Sequence, residues 1–147
     1  MKRFEGPIIL LVFVAAVTIV LASQDKEHGG RPLTTTLSGA AEVPGPGDPD
    51  GSGSFKATFN AGQDQICYEL TVSNIAAPNA AHIHSGGPTV AGPVVVTLKT
   101  PVGGSAKECT TLSKEQVKAI IQKPGDFYVN VHNADFPDGA VRGQLSK

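Results

Sequence analysis

Three short segments alternate polar and apolar residues with period two, and each carries chemistry on its polar side. They are Ala81-His-Ile-His84, Val129-Asn-Val-His132 and Val141-Arg-Gly-Gln-Leu145. Successive side chains leave a β-strand on opposite faces. His82 and His84 therefore share one face of a strand, with Ile83 on the other. Asn130 and His132 lie opposite Val129 and Val131, and Arg142 and Gln144 lie opposite Val141 and Leu145. Three of the chain's four histidines are thus placed on the polar faces of three strands. A fold that joins those faces makes either a metal site or a polar hydrogen-bonded network.

The rest of the chain supports an all-β reading. Seventeen glycines and eleven prolines in 147 residues divide it into short apolar runs separated by turns. Thr34 to Leu37 is β-prone, and Ser54 to Phe59 alternates with Phe55, Ala57 and Phe59 on one side. Ala61 to Asp64 reads as a hairpin connection to Ile66 through Val72. Ala80–His84, Val94–Leu98, Phe127–His132 and Ala140–Leu145 complete seven strands. One helix is expected from Ser113, where Ser113-Lys-Glu-Gln116 matches a capping box. Val117, Ile120 and Ile121 give it an apolar stripe, and Pro124-Gly125 stops it. Seven strands and one short lid helix point to a β-sandwich of immunoglobulin-like or related topology.

The N-terminus reads as separate from this fold. Lys2 and Arg3 precede an uncharged, mostly apolar run that closes on Val20-Leu21-Ala22. One reading is a signal peptide, residues 1–22, cleaved near Ala22. The other is an uncleaved membrane anchor, since Gly6 to Ser23 gives 18 uncharged residues, the lower edge of a bilayer span. Both put the domain outside the cytoplasm, secreted or membrane-anchored. Residues 23–33 form a polar linker, in which His28 lacks fixed geometry, and residues 34–145 form the domain.

In an oxidising compartment Cys67 and Cys109 are expected to pair. The alternative is two buried thiols. The bridge would close a loop of about 43 residues and add about 4 kcal/mol by chain entropy. In the strand Ile66–Val72, however, Cys67 falls on the face opposite the apolar residues, so a buried bridge would require a bulge.

Charge excludes nucleic acid as a partner: the net charge is −1, with no basic stripe to displace phosphate counterions. Asp48-Pro-Asp50-Gly opens like a calcium loop but has no closing acid, and reads as a turn. Ser85 follows His84 without a nucleophile elbow, so nucleophilic catalysis finds no support. The histidines suit copper or zinc. The competing arrangement is a network in which imidazoles bond loop carbonyls and Arg142 pairs with Asp135 or Asp138.

Taken together, Leu37-Ser-Gly-Ala-Ala-Glu-Val-Pro44, Ala81-His-Ile-His84, Gly92-Pro-Val-Val-Val96, Phe127-Tyr-Val-Asn-Val-His132 and Gly139-Ala-Val-Arg-Gly-Gln-Leu145 resemble the CHRD (chordin-type) domain. The resemblance covers roughly Thr34 to Leu145. It implies an extracytoplasmic, non-catalytic binding module acting on an unknown extracellular ligand. The family is in turn similar to copper–zinc superoxide dismutases, which are Greek-key β-sandwiches. That second resemblance implies metal ligation by His82, His84 and His132, and anion attraction by Arg142, beside which Asn130 lies. It also implies a mononuclear copper or zinc protein with weak redox activity as the alternative function. No histidine between Ser85 and Pro101 supplies the bridging ligand of those enzymes, leaving three ligands where they use four.

Overall fold

The computed structural model describes residues 29–147. The expected leader or anchor, most of the linker and His28 lie outside them. Eight antiparallel strands form one continuous sheet: β1 (Arg31–Ser38), β2 (Ser52–Asn60), β3 (Gln65–Ser73), β4 (Pro78–Ser85), β5 (Val94–Leu98), β6 (Ser105–Thr111), β7 (Phe127–Asn133) and β8 (Val141–Gln144). Their order across the sheet is β5-β4-β7-β8-β1-β2-β3-β6. The sheet curls so that the apolar faces of both halves meet in one sandwich-like core. Leu33, Phe55, Phe59, Ile66 and Leu70 come from one half, and Ile83, Val96, Val129, Val131 and Val141 from the other.

The period-two reading holds in the strands that carry it. Ile83, Val129, Val131 and Val141 are fully buried in the core, and Leu145 nearly so. The expected hairpin joins β2 to β3 in continuous register from Ser52↔Ser73 to Asn60↔Gln65. The strand count does not hold, because β6 makes eight. Ser105-Ala-Lys-Glu-Cys-Thr-Thr111 has only Ala106 buried, since it is an edge strand paired to β3 alone. A strand with one partner and one solvated face needs little apolar content, so hydropathy does not reveal it.

The disulfide also forms differently from expectation. Cys67 and Cys109 stand directly opposite each other in the β3–β6 pair, which shows no register shift. Their Cα atoms are 3.9 Å apart and the sulfurs are bonded. The bridge lies on the outer face, with Cys109 exposed, so it fastens an edge strand and needs no bulge.

Among the described residues one α-helix, α1 (Lys114–Gln122), packs on the core with Val117 and Ile120. Its capping box is complete. The Ser113 hydroxyl accepts from the Gln116 amide at 3.2 Å, and the Gln116 side chain accepts from the Ser113 N–H at 3.0 Å. The other end of the Gln116 amide donates to the Val95 carbonyl at 3.1 Å, tying the helix to β5.

The two halves join where β8 meets β1, at Ser38↔Arg142 and Thr34↔Ser146. Gly143 permits this seam, because a Cβ there would overlap the Thr36 carbonyl. The seam leaves β8 paired to β7, with Arg142 opposite Asn130.

Candidate metal centre

The pairing of β4 with β7 aligns His82 with Asn130, His84 with Tyr128 and Ala80 with His132. The pairing of β7 with β8 aligns Asn130 with Arg142 and Tyr128 with Gln144. All of these polar side chains therefore occupy one outer patch, backed by the buried Ile83, Val129 and Val131. His82 and His132 are diagonal neighbours across two strands, close enough for their rings to meet. Their centroids are 5.1 Å apart, His82 and His84 are 5.5 Å apart, and His84 and His132 are 5.9 Å apart.

One ring nitrogen from each of the three histidines lies within 4.8 Å of the others. Hydrogen bonds decide which nitrogens are free. His84 Nδ1 donates to the Gly92 carbonyl at 2.9 Å, and His132 Nδ1 donates to the Pro137 carbonyl at 3.0 Å. A carbonyl only accepts, so each bond puts the proton on Nδ1 and leaves an unprotonated Nε2. His82 Nδ1 then faces His132 Nε2 at 3.2 Å. With His132 Nε2 unprotonated, that contact is a hydrogen bond donated by His82 Nδ1–H. Its length is close to the roughly 3.4 Å between two ligands of a tetrahedral ion, so His82 would ligate by giving up that proton. His84 Nε2 is buried and has no partner among the described residues. Oriented imidazoles whose far nitrogen bonds a backbone carbonyl are the usual supporting arrangement of metal-binding histidines.

Two loops supply those carbonyls. In residues 86–93, Gly92 accepts from His84 and its N–H donates to the Tyr128 hydroxyl at 3.0 Å. Arg142 donates to the carbonyls of Gly87 at 2.8 Å and Val90 at 3.1 Å, and Gln144 donates to that of Gly86 at 2.6 Å. In residues 134–140, the buried Asn133 side chain accepts from the Phe136 N–H at 2.8 Å and donates to the Ala76 carbonyl at 3.4 Å. The loops are pinned by side chains from β7, which carries His132, and from its neighbour β8.

Arg142 is 1% exposed and does not pair with Asp135 or Asp138. Its guanidinium carbon lies 3.4 Å from the centre of the Tyr128 ring. His84 stacks on the same ring, 4.8 Å between centroids and 7° from parallel. Because β7 runs between β4 and β8, Tyr128 separates His84 from the guanidinium. Asn130, 2% exposed, donates to a Glu42 carboxylate oxygen at 3.2 Å. Glu42 enters from the loop after β1 and is also buried. Gly139, at φ 146°, leaves the room its carboxyl occupies, because a Cβ there would overlap it.

Burial sets the proton equilibria. It pulls His82 and His84 below the ordinary imidazole value, and the neighbouring rings add to the effect. For His84 the Gly92 carbonyl opposes this, while Arg142 reinforces it. Neutral, ligating imidazole is thereby favoured. Burial pushes Glu42 up from 4.5 to about 7, against the pull of Asn130 and Arg142.

The patch thus unites all five residues singled out from the strand pattern: His82, His84, His132, Asn130 and Arg142. Tyr128, Asn133 and Glu42 join this patch without having been expected there, and Gln144 was placed on the polar face without a role. Extending the alternation of β7 two residues back from Asn130 would have found Tyr128. Glu42 lies in an aperiodic segment with no comparable signal. A groove of about 460 Å³ lies on the other half of the sheet, beside Cys67–Cys109, away from the histidines.

The family model for the CHRD domain matches residues 33–145. The chain belongs to the CHRD domain family. No curated protein and no solved structure matched the chain. Within the CHRD domain, the matched span holds the whole histidine patch, both loops that orient it and the disulfide.

Proposed function

We propose that this CHRD domain is an extracytoplasmic module that binds a single copper or zinc ion through His82 Nδ1, His84 Nε2 and His132 Nε2. The observation that carries this reading is that the carbonyls of Gly92 and Pro137 engage Nδ1 of His84 and of His132, an arrangement that leaves each Nε2 without the proton, while one ligand atom from each of the three rings lies within 4.8 Å of the others. A purely structural network would satisfy the buried His84 Nε2, and none of the described residues does. The three ligand atoms lie within 4.8 Å of one another, so side-chain movements of at most about 1.5 Å bring them to the roughly 3.4 Å spacing of ligands on a tetrahedral ion. The exposed disulfide supports export, because such bonds persist in oxidising compartments.

Elemental analysis of untagged native protein, followed by calorimetric titration of the full chain with zinc and with copper, tests the proposal. One ion per chain is expected, with binding lost in His82→Ala/His84→Ala. At a hundredfold excess over Kd the ion should stabilise the fold by about 2.7 kcal/mol. Absence of binding, or binding that survives the double substitution, overturns the proposal.

A further inference from the structure

The donor set alone does not choose between copper and zinc, since imidazole suits both. Its surroundings do. We infer that the histidine centre favours a monovalent soft cation, copper(I), over divalent zinc or copper(II), and that Arg142 is the positioning charge that sets this preference. The inference rests on the proposed metal site.

Three features support it. First, the ligands are three neutral imidazoles. No fourth histidine, cysteine, aspartate or glutamate joins the cluster among the described residues, so the protein brings no negative charge to the ion. Second, a fixed cation stands close. The Arg142 guanidinium and the His84 ring pack on the same Tyr128 ring, which places them within about 8 Å of each other. Its hydrogen bonds go to two uncharged carbonyls, and NH1 is buried without a partner among the described residues. Third, among the described residues the one buried carboxyl is that of Glu42. Asn130 engages one of its oxygens, and burial keeps much of the side chain protonated near neutral pH. It compensates Arg142 only in part.

A positive field costs a divalent ion twice what it costs a monovalent one. Two unit charges about 10 Å apart at an effective dielectric of about 20 interact by an amount worth roughly tenfold in affinity. Each added charge on the ion therefore meets about that penalty. Geometry acts in the same direction. Zinc seeks a fourth ligand for its tetrahedron, and copper(II) seeks a tetragonal set. Three imidazoles alone complete a trigonal copper(I) site.

The test uses the full chain and competition titrations with copper(I), silver(I) as a redox-inert monovalent probe, zinc(II) and copper(II). Wild-type protein should hold silver(I) and copper(I), and Arg142→Gln should strengthen zinc(II) relative to silver(I) by about tenfold. Arg142→Lys, which keeps the charge, should retain most of the wild-type ratio. If Arg142→Gln does not fold, Glu42→Gln removes the partial compensation instead and should move the ratio further toward silver(I) at pH 8. Binding of all four ions with a ratio indifferent to these substitutions overturns the charge inference and leaves the metal site standing. Absence of binding by any of the four overturns both.

Discussion

Nδ1 of His82 lies 3.2 Å from Nε2 of His132, although fifty residues separate them in the chain. The sheet creates this approach. β4 and β7 pair so that His82 faces Asn130, which puts His132 on the diagonal. Ile83, Val129 and Val131 fix that register from beneath, since a slip of one residue would turn every histidine into the core.

The Pro137 carbonyl should matter to metal affinity without touching the metal. Asn133 pins the loop that carries it. Asn133→Ala is expected to weaken zinc binding by ten- to a hundredfold, the usual cost of losing orienting support. Calorimetry on wild type and variant checks this. Unchanged affinity in a folded variant would show that the Pro137 carbonyl holds its place without Asn133.

Metal affinity should depend on pH through the imidazoles. Burial holds His82 and His84 below the ordinary value near 6.5, so they stay neutral at pH 6.5 and protonate at lower pH. Competition titrations at pH 7.5, 6.5 and 5 should show little change across the first interval and a steep loss across the second. Equal affinity at pH 7.5 and pH 5 would contradict imidazole ligation.

Glu42 gives the metal-free domain an opposite pH response. Its carboxyl titrates at about 7 when folded and near 4.5 when unfolded. A raised folded value means stability that is complete below pH 4.5 and is lost as pH rises through 7. The lowered His82 and His84 values act the other way, with stability complete above 6.5 and lost as pH falls. Glu42→Gln keeps the shape and removes the charge. Its melting temperature should exceed that of wild type at pH 8.5, with the gap narrowing at pH 5. A gap independent of pH would show that the carboxyl does not titrate in this range.

Reducing Cys67–Cys109 should release β6, the edge strand that β3 alone pairs. A stability loss of about 2–4 kcal/mol is expected. Thermal melts with and without reductant measure it. Mass spectrometry that finds two free thiols in exported protein would remove the bridge from the account.

Ser113→Ala should cost about 1 kcal/mol, because it removes the acceptor for the Gln116 amide at the start of α1. Chemical denaturation measures this.

Legibility followed physical regularity. Alternation exposes which face a residue takes, and it placed His82, His84, His132, Asn130 and Arg142 on one side of their strands. The capping box at Ser113 was equally visible, because its chemistry lies within four consecutive residues. β6 was not visible, because an edge strand with one solvated face can be polar along most of its length. Cys67 and Cys109 are misplaced for a buried bridge but well placed for one on the outer face. Directly opposed residues on an outer face bridge as readily. Glu42 is brought to Asn130 by an irregular loop, and no local pattern encodes that meeting across 88 positions. The carbonyls of Gly92 and Pro137 were hidden for a simpler reason: every residue has one, and only the fold aims it.

The most direct test is anomalous diffraction from crystals of the full chain grown with zinc or copper. One peak about 2.0–2.1 Å from His82 Nδ1, His84 Nε2 and His132 Nε2 is the expected result. Metal bound elsewhere, or no peak among the three rings at saturating ion, would contradict the account.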